Sequence, residues 1–232
     1  MIVPGTTAER MSFVDTARLV WAPPHPAGRP FILGGVAAIV VGLILLHWLA
    51  WLALLFTVLC LYFFRDPERV PPGRVSAVLA PADGKVVLVA PAVPPAELGL
   101  GIAPRWRVGI FLSLLDVHVN RVPADGTITR ISYRHGRFHN ASLGRAGEDN
   151  ERNALAMRLP DGRELAVVQI AGLLARRILC TVREGDAVRA GARFGMIRFG
   201  SRTDLYLPEG VLPLVAEGQT MIGGETVVAE LA

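Results

Sequence analysis

The apolar residues follow two different patterns along this chain of 232 residues. Residues 31–64 contain no Asp, Glu, Lys or Arg and are mostly Leu, Val, Ala, Ile and aromatic side chains. From residue 75 onward, apolar residues come instead in short runs that Gly, Pro and Asp interrupt. Long uncharged runs are typical of membrane helices, whereas short runs between turn residues are typical of strands. The pattern therefore predicts a helical membrane anchor followed by a β-rich domain over residues 65–232.

The predicted anchor is longer than one membrane span, which needs about 20 apolar residues, and shorter than two full spans with a loop. We expect a hairpin of two shorter helices that turns near His47, and one long tilted helix is the second interpretation. A cleavable signal peptide would be shorter and would start nearer the N-terminus. Residues 1–30 are polar and proline-rich, which predicts a loose leader.

Six apolar runs in the second part have the length of strands, and none has helical periodicity. The runs are 85–89, 107–112, 126–133, 154–159, 164–170 and 193–198. Gly-containing turn signals separate them, as is usual in all-β domains. We therefore expect a sandwich or a partly open barrel. Residues 80–87 and 182–191 each begin a hairpin that resembles the hybrid motif of biotinyl and lipoyl carrier domains.

Arginine supplies nearly all of the positive charge, since Lys85 is the single lysine and the formal net charge is +4. Arg65, Arg69 and Arg74 follow the apolar segment and favour the cytoplasmic side of the cell membrane for the β-rich domain. A basic surface suits anionic lipid. The arginines are scattered and not interleaved with aromatic residues, so we expect no nucleic-acid binding. The number of copies stays open, and a homo-oligomer is compatible with the sequence.

The pair Gly200-Ser201 stands between two apolar strands and has two interpretations. The plain one is a tight turn, in which Gly and Ser are common. The chemical one begins with the glycine carbonyl, which is little shielded and which a neighbouring serine hydroxyl can attack, given a base and oxyanion donors. The peptide bond would become an ester, and elimination would leave a chain end that carries a pyruvoyl ketone.

A second candidate is the segment around His118. Alternation along a strand puts Asp116, His118 and Asn120 on one face, which is either an acid–base site or a solvated surface. His135 and His139 lie in a basic loop and are weaker candidates.

The polar run 148–153 is either a solvated loop or a clamp for a polar headgroup. In the clamp, Arg152 would pair with a phosphate or carboxylate. Cys60 and Cys180 have no spacing that indicates a disulfide or a metal site, and we expect no metal.

Taken together, these segments resemble the phosphatidylserine decarboxylase family, in particular its short prokaryotic form. The resemblance runs from about residue 63 to the C-terminus, and the order and spacing of the motifs carry it. The motifs are Phe64-Arg65-Asp66-Pro67, residues 80–86 with Asp83, residues 116–123 with His118, Asn150-Glu151-Arg152, Gln169-Ile170-Ala171-Gly172 and Phe199-Gly200-Ser201.

The resemblance implies a proenzyme that cuts itself between Gly200 and Ser201 into a β chain, residues 1–200, and an α chain, residues 201–232. The α chain would begin with a pyruvoyl group made from Ser201, and no metal is implied. The pyruvoyl ketone would form a Schiff base with the amine of phosphatidylserine in the membrane and accept the electrons left when carbon dioxide departs. The product would be phosphatidylethanolamine.

The resemblance also implies residue roles. Ser201, His118 and Asp83 would be catalytic. Long family members carry a second histidine at the position of Arg121, so that base for self-cleavage is missing here. Either His118 would serve in both cleavage and decarboxylation, or Asp83 would act in cleavage with less help. The implied substrate-binding residues are Asn120, Arg121, Asn150, Glu151, Arg152 and Gln169.

Three other functions stay open. A membrane-tethered carrier domain would need a lysine at a hairpin tip, and Lys85 stands instead at the start of a strand. A phosphocarrier would need a phosphorylated histidine, such as His118, but would leave Gly200-Ser201 unexplained. An inactive family member that acts as a membrane scaffold is compatible with Arg121.

Overall fold

The computed structural model describes residues 22–136, 150–172, 177–198 and 201–231, and the chain divides into two compact units, Met1–Glu68 and Arg69–Ala232. In the first unit a short 3-10 turn, Pro26–Gly28, leads into helix α1 (Arg29–Leu45). Helix α2 (His47–Phe63) follows after Leu46, whose extended backbone (φ −151°, ψ 107°) ends one helix and begins the next. The apolar segment thus forms two helices with a single residue between them.

Glycines bring the two helices into close contact. A Cβ at Gly42 would lie 2.5 Å from the backbone nitrogen of Ala50, and one at Gly35 would lie 2.2 Å from Thr57 Oγ1. Gly35 of α1 faces Thr57 and Gly42 faces Ala50, so residue numbers rise along one helix as they fall along the other and the helices run antiparallel. Gly35 and Gly42 are seven residues apart, which places them on the same face of α1. Small residues at such contacts are typical of helices packed within a membrane.

The other faces of both helices expose large apolar side chains. Leu45 is 67% exposed and Trp51 is 71% exposed. Among the described residues, Pro26–Leu45 is the helix whose length and composition would allow it to cross a membrane, and His47–Phe63 is shorter. An apolar surface of this extent is unusual on a protein in water, and location in a membrane stays a prediction.

The second unit is built from strands. In chain order the described strands are β1 (Ala77–Leu79), β2 (Gly84–Ala92), β3 (Arg105–Leu112), β4 (Val119–Arg121), β5 (Gly126–Arg134), β6 (Arg152–Arg158), β7 (Glu164–Ala171), β8 (Ile178–Cys180), β9 (Ala187–Val188), β10 (Arg193–Ile197), β11 (Ser201–Tyr206), β12 (Thr220–Met221) and β13 (Val227–Glu230). All six strands expected from the apolar runs are present, with boundaries that coincide or differ by up to three residues.

Eight strands form one antiparallel sheet in the order β12-β2-β3-β11-β7-β6-β5-β9, and this sheet curls into a half-barrel. A three-stranded sheet has the order β4-β10-β8, and β1 pairs with β13. The prediction of a mainly β domain with a partly open barrel is therefore confirmed.

The large sheet buries both of its faces. The inner face carries the main core, which includes Val108, Leu155, Val167 and Leu205. The three-stranded sheet lies against this face, because a Cβ at Gly195 of β10 would be only 2.9 Å from Gln169 Nε2 of β7. The outer face carries a smaller cluster, in which Leu98, Ala154, Val168 and Tyr206 take part. Burial on both faces explains why these strands read as nearly continuous apolar runs.

Candidate active site

Ser201 is the first residue of β11, a central strand of the large sheet. It pairs with Leu112 of β3 on one side and with Ala171 of β7 on the other. Its side chain is fully buried, and among the described residues its Oγ atom has no hydrogen-bond partner. A buried hydroxyl without a partner is unfavourable and uncommon in native proteins. The prediction for Gly200 lies outside the described residues.

His118 is also fully buried and stands immediately before β4. Its Nδ1 atom lies 2.9 Å from the backbone oxygen of Asp116. A carbonyl oxygen can only accept, so Nδ1 carries the proton and donates it to this oxygen. In the neutral ring the lone pair is then on Nε2, which makes Nε2 the nitrogen able to act as a base.

The backbone brings His118 to the same end of the fold as Ser201. The Ile197 nitrogen donates to the His118 oxygen at 3.2 Å, which extends the pairing of β10 with β4. Ile197 and Ile178 pack in turn against Ala171, the register partner of Ser201. Ile197, at the end of β10, therefore lies beside His118.

A chain of buried amides ties four strands together beside Ser201. Asn153 Nδ2 donates to Gln169 Oε1 at 2.9 Å, and Gln169 Nε2 donates to Asn120 Oδ1 at 2.8 Å. Asn120 Nδ2 donates to Thr203 Oγ1 at 3.3 Å. Thr203 is two residues after Ser201 in β11, so both side chains project from the inner face. The chain fixes the position of β11 relative to β4, β6 and β7.

On the outer face of the same strand, Arg202 and Asp204 form a buried ion pair. Arg202 Nε and Nη2 donate to the two carboxylate oxygens at 2.7 and 2.8 Å, and the side chains are 1% and 2% exposed. Gly109 of β3 faces this pair, and a Cβ there would lie 3.1 Å from Asp204 Oδ1. A two-bond pair of this kind is geometrically specific. Residue 202 is therefore held firmly just after Ser201.

Asp83 lies in the turn before β2, at the edge of the sheet where β3 ends. Its carboxylate accepts from Arg69 Nη2 at 2.7 Å and from the Gly223 nitrogen at 2.8 Å. Lys85 pairs with Phe111, so Asp83 and Ser201 lie at the same end of the sheet with β3 between their strands. The structure thus places Asp83, His118 and Ser201 at one end of the domain.

Glu151 lies immediately before β6, at the end of the sheet where Ser201 begins β11. Its carboxylate accepts a short hydrogen bond from the Tyr133 hydroxyl, and His135 Nδ1 is 3.8 Å from its second oxygen. Burial, together with the negative charge and hydrogen bond of Glu151, raises the pKa of Tyr133 to about 12. The Glu151 backbone oxygen accepts from the Ala171 nitrogen at 2.9 Å, which connects this cluster to the register partner of Ser201.

The other predicted substrate-binding residues have different surroundings. Asn150 Nδ2 donates to the Ala171 oxygen at 2.8 Å, so Asn150 belongs to the same end as Ser201. Arg152 pairs with Glu97, with Nε 3.1 Å from Oε1. Arg121 Nη1 donates to the Gly191 oxygen at 2.9 Å. Among the described residues no group of three or more His, Cys, Asp and Glu could hold a metal ion.

Comparison with known proteins identifies the family. Residues 56–229 match the sequence model of phosphatidylserine decarboxylase. The chain is 70% identical over 229 residues to the phosphatidylserine decarboxylase proenzyme of Granulibacter bethesdensis, covering 99% of this chain and 94% of that protein. It is 61% identical over 225 residues to the proenzyme of Gluconacetobacter diazotrophicus, covering 95% and 100%. The chain belongs to the phosphatidylserine decarboxylase family.

The same match extends to a more distant relative, and it confirms the resemblance drawn from the motifs. The proenzyme of Saccharopolyspora erythraea is 54% identical over 228 residues, covering 97% of this chain and 96% of the relative. The prediction of a decarboxylase is confirmed by the family. The roles of individual residues stay predictions.

Three residues of the site in this family member were not expected from the sequence. Thr203 was identifiable in principle, because the two-residue period of a strand places it on the face of Ser201. Asn153 is the last residue of the polar run 148–153, in which the motif Asn150-Glu151-Arg152 indicates substrate binding and nothing distinguishes Asn153. Tyr133 had no local signal, since it meets Glu151 only through the pairing of β5 with β6. His139 lies outside the described residues.

Proposed function

We propose that this chain is a self-cleaving proenzyme that decarboxylates phosphatidylserine to phosphatidylethanolamine and carbon dioxide. In this proposal the cut lies between Gly200 and Ser201, and a pyruvoyl group made from Ser201 is the cofactor. The chains 1–200 and 201–232 would stay together as β and α chains. Backbone hydrogen bonds would hold them together, because β11 of the α chain pairs on both sides with strands of the β chain.

One observation carries the proposal. The buried Ser201 Oγ atom has no hydrogen-bond partner among the described residues, at the start of a central strand. A hydroxyl that is to attack the preceding carbonyl must not be held by other acceptors, whereas a structural serine at this depth would be bonded. The chemistry of this position therefore fits a serine that becomes a pyruvoyl group.

The proposed cleavage needs a base, and His118 is the candidate. The Ser201 hydroxyl gives its proton to His118 Nε2 as Oγ bonds to the Gly200 carbonyl carbon. The Ser201 nitrogen takes up a proton as its bond to that carbon breaks, which leaves an ester. In the elimination a base takes the Ser201 Cα proton as the Cβ–Oγ bond breaks, which frees the Gly200 carboxylate and leaves a double bond between Cα and Cβ. Addition of water and loss of ammonia complete the pyruvoyl end. The hydrogen bond from Nδ1 to Asp116 supports this assignment because it fixes the required tautomer.

In decarboxylation the pyruvoyl group supplies a ketone that accepts the electrons left by the departing carboxylate. The residues of the chain hold that ketone in place. The amide chain from Asn153 to Thr203 supports the inner face of β11, and the Arg202–Asp204 pair supports its outer face. Direct contacts of Asn150, Glu151, Gln169 and the other predicted residues with the headgroup are part of the proposal.

We further propose that α1 and α2 anchor the enzyme in the membrane that holds its substrate. The exposed apolar faces of both helices support this, since burial in lipid removes them from water. Arg65, Arg69 and Arg74 favour the cytoplasmic side for the β-rich domain.

Intact-mass analysis of the purified protein tests the proposal. We expect two chains of about 200 and about 32 residues, the second blocked at its N-terminus by the pyruvoyl group. Ser201→Ala should remain one uncut chain without decarboxylase activity, while Ser132→Ala, a serine of β5, should be cut and active. Decarboxylation by an uncut Ser201→Ala protein would exclude the pyruvoyl mechanism, and an uncut wild-type chain would favour the inactive scaffold.

A further inference from the structure

Two arginines stand opposite each other beside the proposed cleavage site. The Arg198 nitrogen donates to the Arg177 oxygen at 3.2 Å, which continues the antiparallel register of Ile197 with Ile178. Residues directly opposite in antiparallel strands project from the same face, with Cβ atoms about 4.5–5.5 Å apart. The side chains of Arg177 and Arg198 therefore begin as neighbours on one face of the three-stranded sheet.

Such a pair of like charges is unfavourable in a strand pairing. Burial, and then the positive charge of Arg177, lowers the pKa of Arg198. The charge of Arg177 also acts on Tyr133, whose hydroxyl binds Glu151. Ionisable groups that perturb one another in this way cluster at functional sites. An anion bound between the two guanidinium groups would turn the repulsion into attraction.

We propose that Arg177 and Arg198 bind the phosphodiester of the lipid headgroup and thereby set its position against residue 201. This proposal rests on the proposed function and adds to it a subsite for the phosphate. The guanidinium group suits the role because its planar donors match the oxygens of a phosphate. Arg152, which the sequence also offers for a phosphate or carboxylate, has Glu97 as a carboxylate partner within the protein.

Distances along the chain agree with this placement. Arg198 and Ser201 are three residues apart, so their Cα atoms lie within about 11 Å. An extended arginine spans about 7 Å from Cα to its terminal nitrogens, and the four bonds from phosphorus to the serine amine of the headgroup span about 5 Å. A phosphate held by Arg198 therefore leaves the amine within reach of the Ser201 Cα, which becomes the ketone carbon in the proposed chemistry.

The contacts of the residues next to the two arginines place the arginines at the end of the domain where Ser201 lies. Ile178 and Ile197, the strand neighbours of the two arginines, contact Ala171, and Ala171 is paired with Ser201. Arg177 directly precedes Ile178 and Arg198 directly follows Ile197, so each arginine is the chain neighbour of a residue that packs against the partner of Ser201. A phosphate bound by them would lie at the end where β11 begins.

Calorimetry with two soluble probes tests the subsite without relying on activity. Glycerophosphoethanolamine carries the phosphodiester and the amine, whereas ethanolamine lacks the phosphate. The processed wild-type protein should bind glycerophosphoethanolamine more tightly than ethanolamine. Arg177→Gln and Arg198→Gln should each weaken glycerophosphoethanolamine binding about tenfold or more, as loss of a hydrogen bond to a charged group predicts. Ethanolamine binding should not change.

Arg183→Gln is the matched control, because Arg183 is exposed, lies beyond the other end of β8 and loses the same charge. It should bind both probes like the wild type. Unchanged binding of glycerophosphoethanolamine by Arg177→Gln and Arg198→Gln would overturn the subsite. An equal loss in Arg183→Gln would overturn it too, because the effect would then be one of overall charge. Weaker adsorption to phosphatidylglycerol vesicles with unchanged probe binding would assign the pair to the lipid surface instead.

The subsite and the proposed function fail in different ways. A wild-type chain that is uncut or inactive in the same preparation rejects the proposed function. A wild-type chain that is cut and active, together with unchanged probe binding by the variants, rejects the subsite alone. If Arg198→Gln impairs cleavage because of its place near the cut, Arg177→Gln decides the outcome, since residue 177 lies far from the cut in sequence.

Discussion

At the scale of single residues, hydrogen bonding distinguishes the residues that support β11 from Ser201, the residue proposed to react. Asn120, Gln169 and Thr203 are fully buried, and each takes part in at least one side-chain hydrogen bond. Ser201 is buried as deeply, yet its hydroxyl has no partner among the described residues. An unsatisfied buried polar atom costs about 1–3 kcal/mol. The unfavourable free energy falls on Ser201 and not on its neighbours in β11, which supports the proposed role of Ser201 in the chemistry.

The proposed role of His118 as the base can be tested by substitution, because its Nδ1 hydrogen bond leaves Nε2 as the basic nitrogen. His118→Gln removes the proposed base but keeps a polar side chain of similar size, so we expect self-cleavage and decarboxylation to slow by about 10²–10⁴-fold. His135→Gln is the matched control, because His135 is 89% exposed in its side chain; it should be cut at the wild-type rate. The time course of appearance of the smaller chain on a gel measures cleavage. A normal time course and normal activity in His118→Gln would remove His118 from both steps.

At the scale of elements, the strands were predictable and their partners were not. Runs such as 107–112 and 164–170 have strand length and lie between turn signals, and β3 and β7 are found there. The amide chain depends on the register of β6, β7 and β11 and on the approach of β4 to their inner face. These pairings join residues far apart in sequence, and no local pattern encodes them. The sequence therefore identifies Asn120 and Gln169 as candidate site residues but does not predict that they bind each other.

The helices give a second example. Gly34, Gly35 and Gly42 all interrupt the apolar segment, but only their positions on the helix tell which of them face α2. Gly35 and Gly42 contact Thr57 and Ala50, whereas a Cβ at Gly34 would meet nothing within 4 Å. The seven-residue interval is visible in the sequence, and the identity of its partners is not.

A pair of leucine substitutions tests the close approach of the helices. Gly35→Leu would put a branched side chain where Thr57 Oγ1 is only 2.2 Å from the site of a Cβ, so the helices must separate. We expect loss of about 1–3 kcal/mol, the usual result of overpacking. Gly34→Leu adds the same side chain to an open face and should be neutral. Helical circular dichroism on heating in detergent measures both. Equal melting of the two variants would contradict the hairpin contact.

At the scale of the whole molecule, the chain joins an apolar pair of helices to a β-rich enzyme of the phosphatidylserine decarboxylase family. The sequence was sufficient for this order, because the change from one long uncharged run to short interrupted runs is abrupt near residue 65. All residues placed at the candidate site belong to the unit Arg69–Ala232. Cleavage should therefore depend on the second unit, and access to membrane-bound lipid on the first.

Removal of residues 1–68 separates these two requirements. Arg69 is kept because it binds Asp83. We expect chain 69–232 to cut itself and to decarboxylate soluble dihexanoyl phosphatidylserine at close to the full-length rate. On phosphatidylserine in vesicles its rate should fall at least about tenfold, because the anchor no longer concentrates the enzyme at the lipid surface. The full-length protein in the same two assays is the control. If the shortened chain decarboxylated vesicle lipid as fast as the full-length protein, the helices would have no part in reaching the substrate, and their apolar faces would need another explanation.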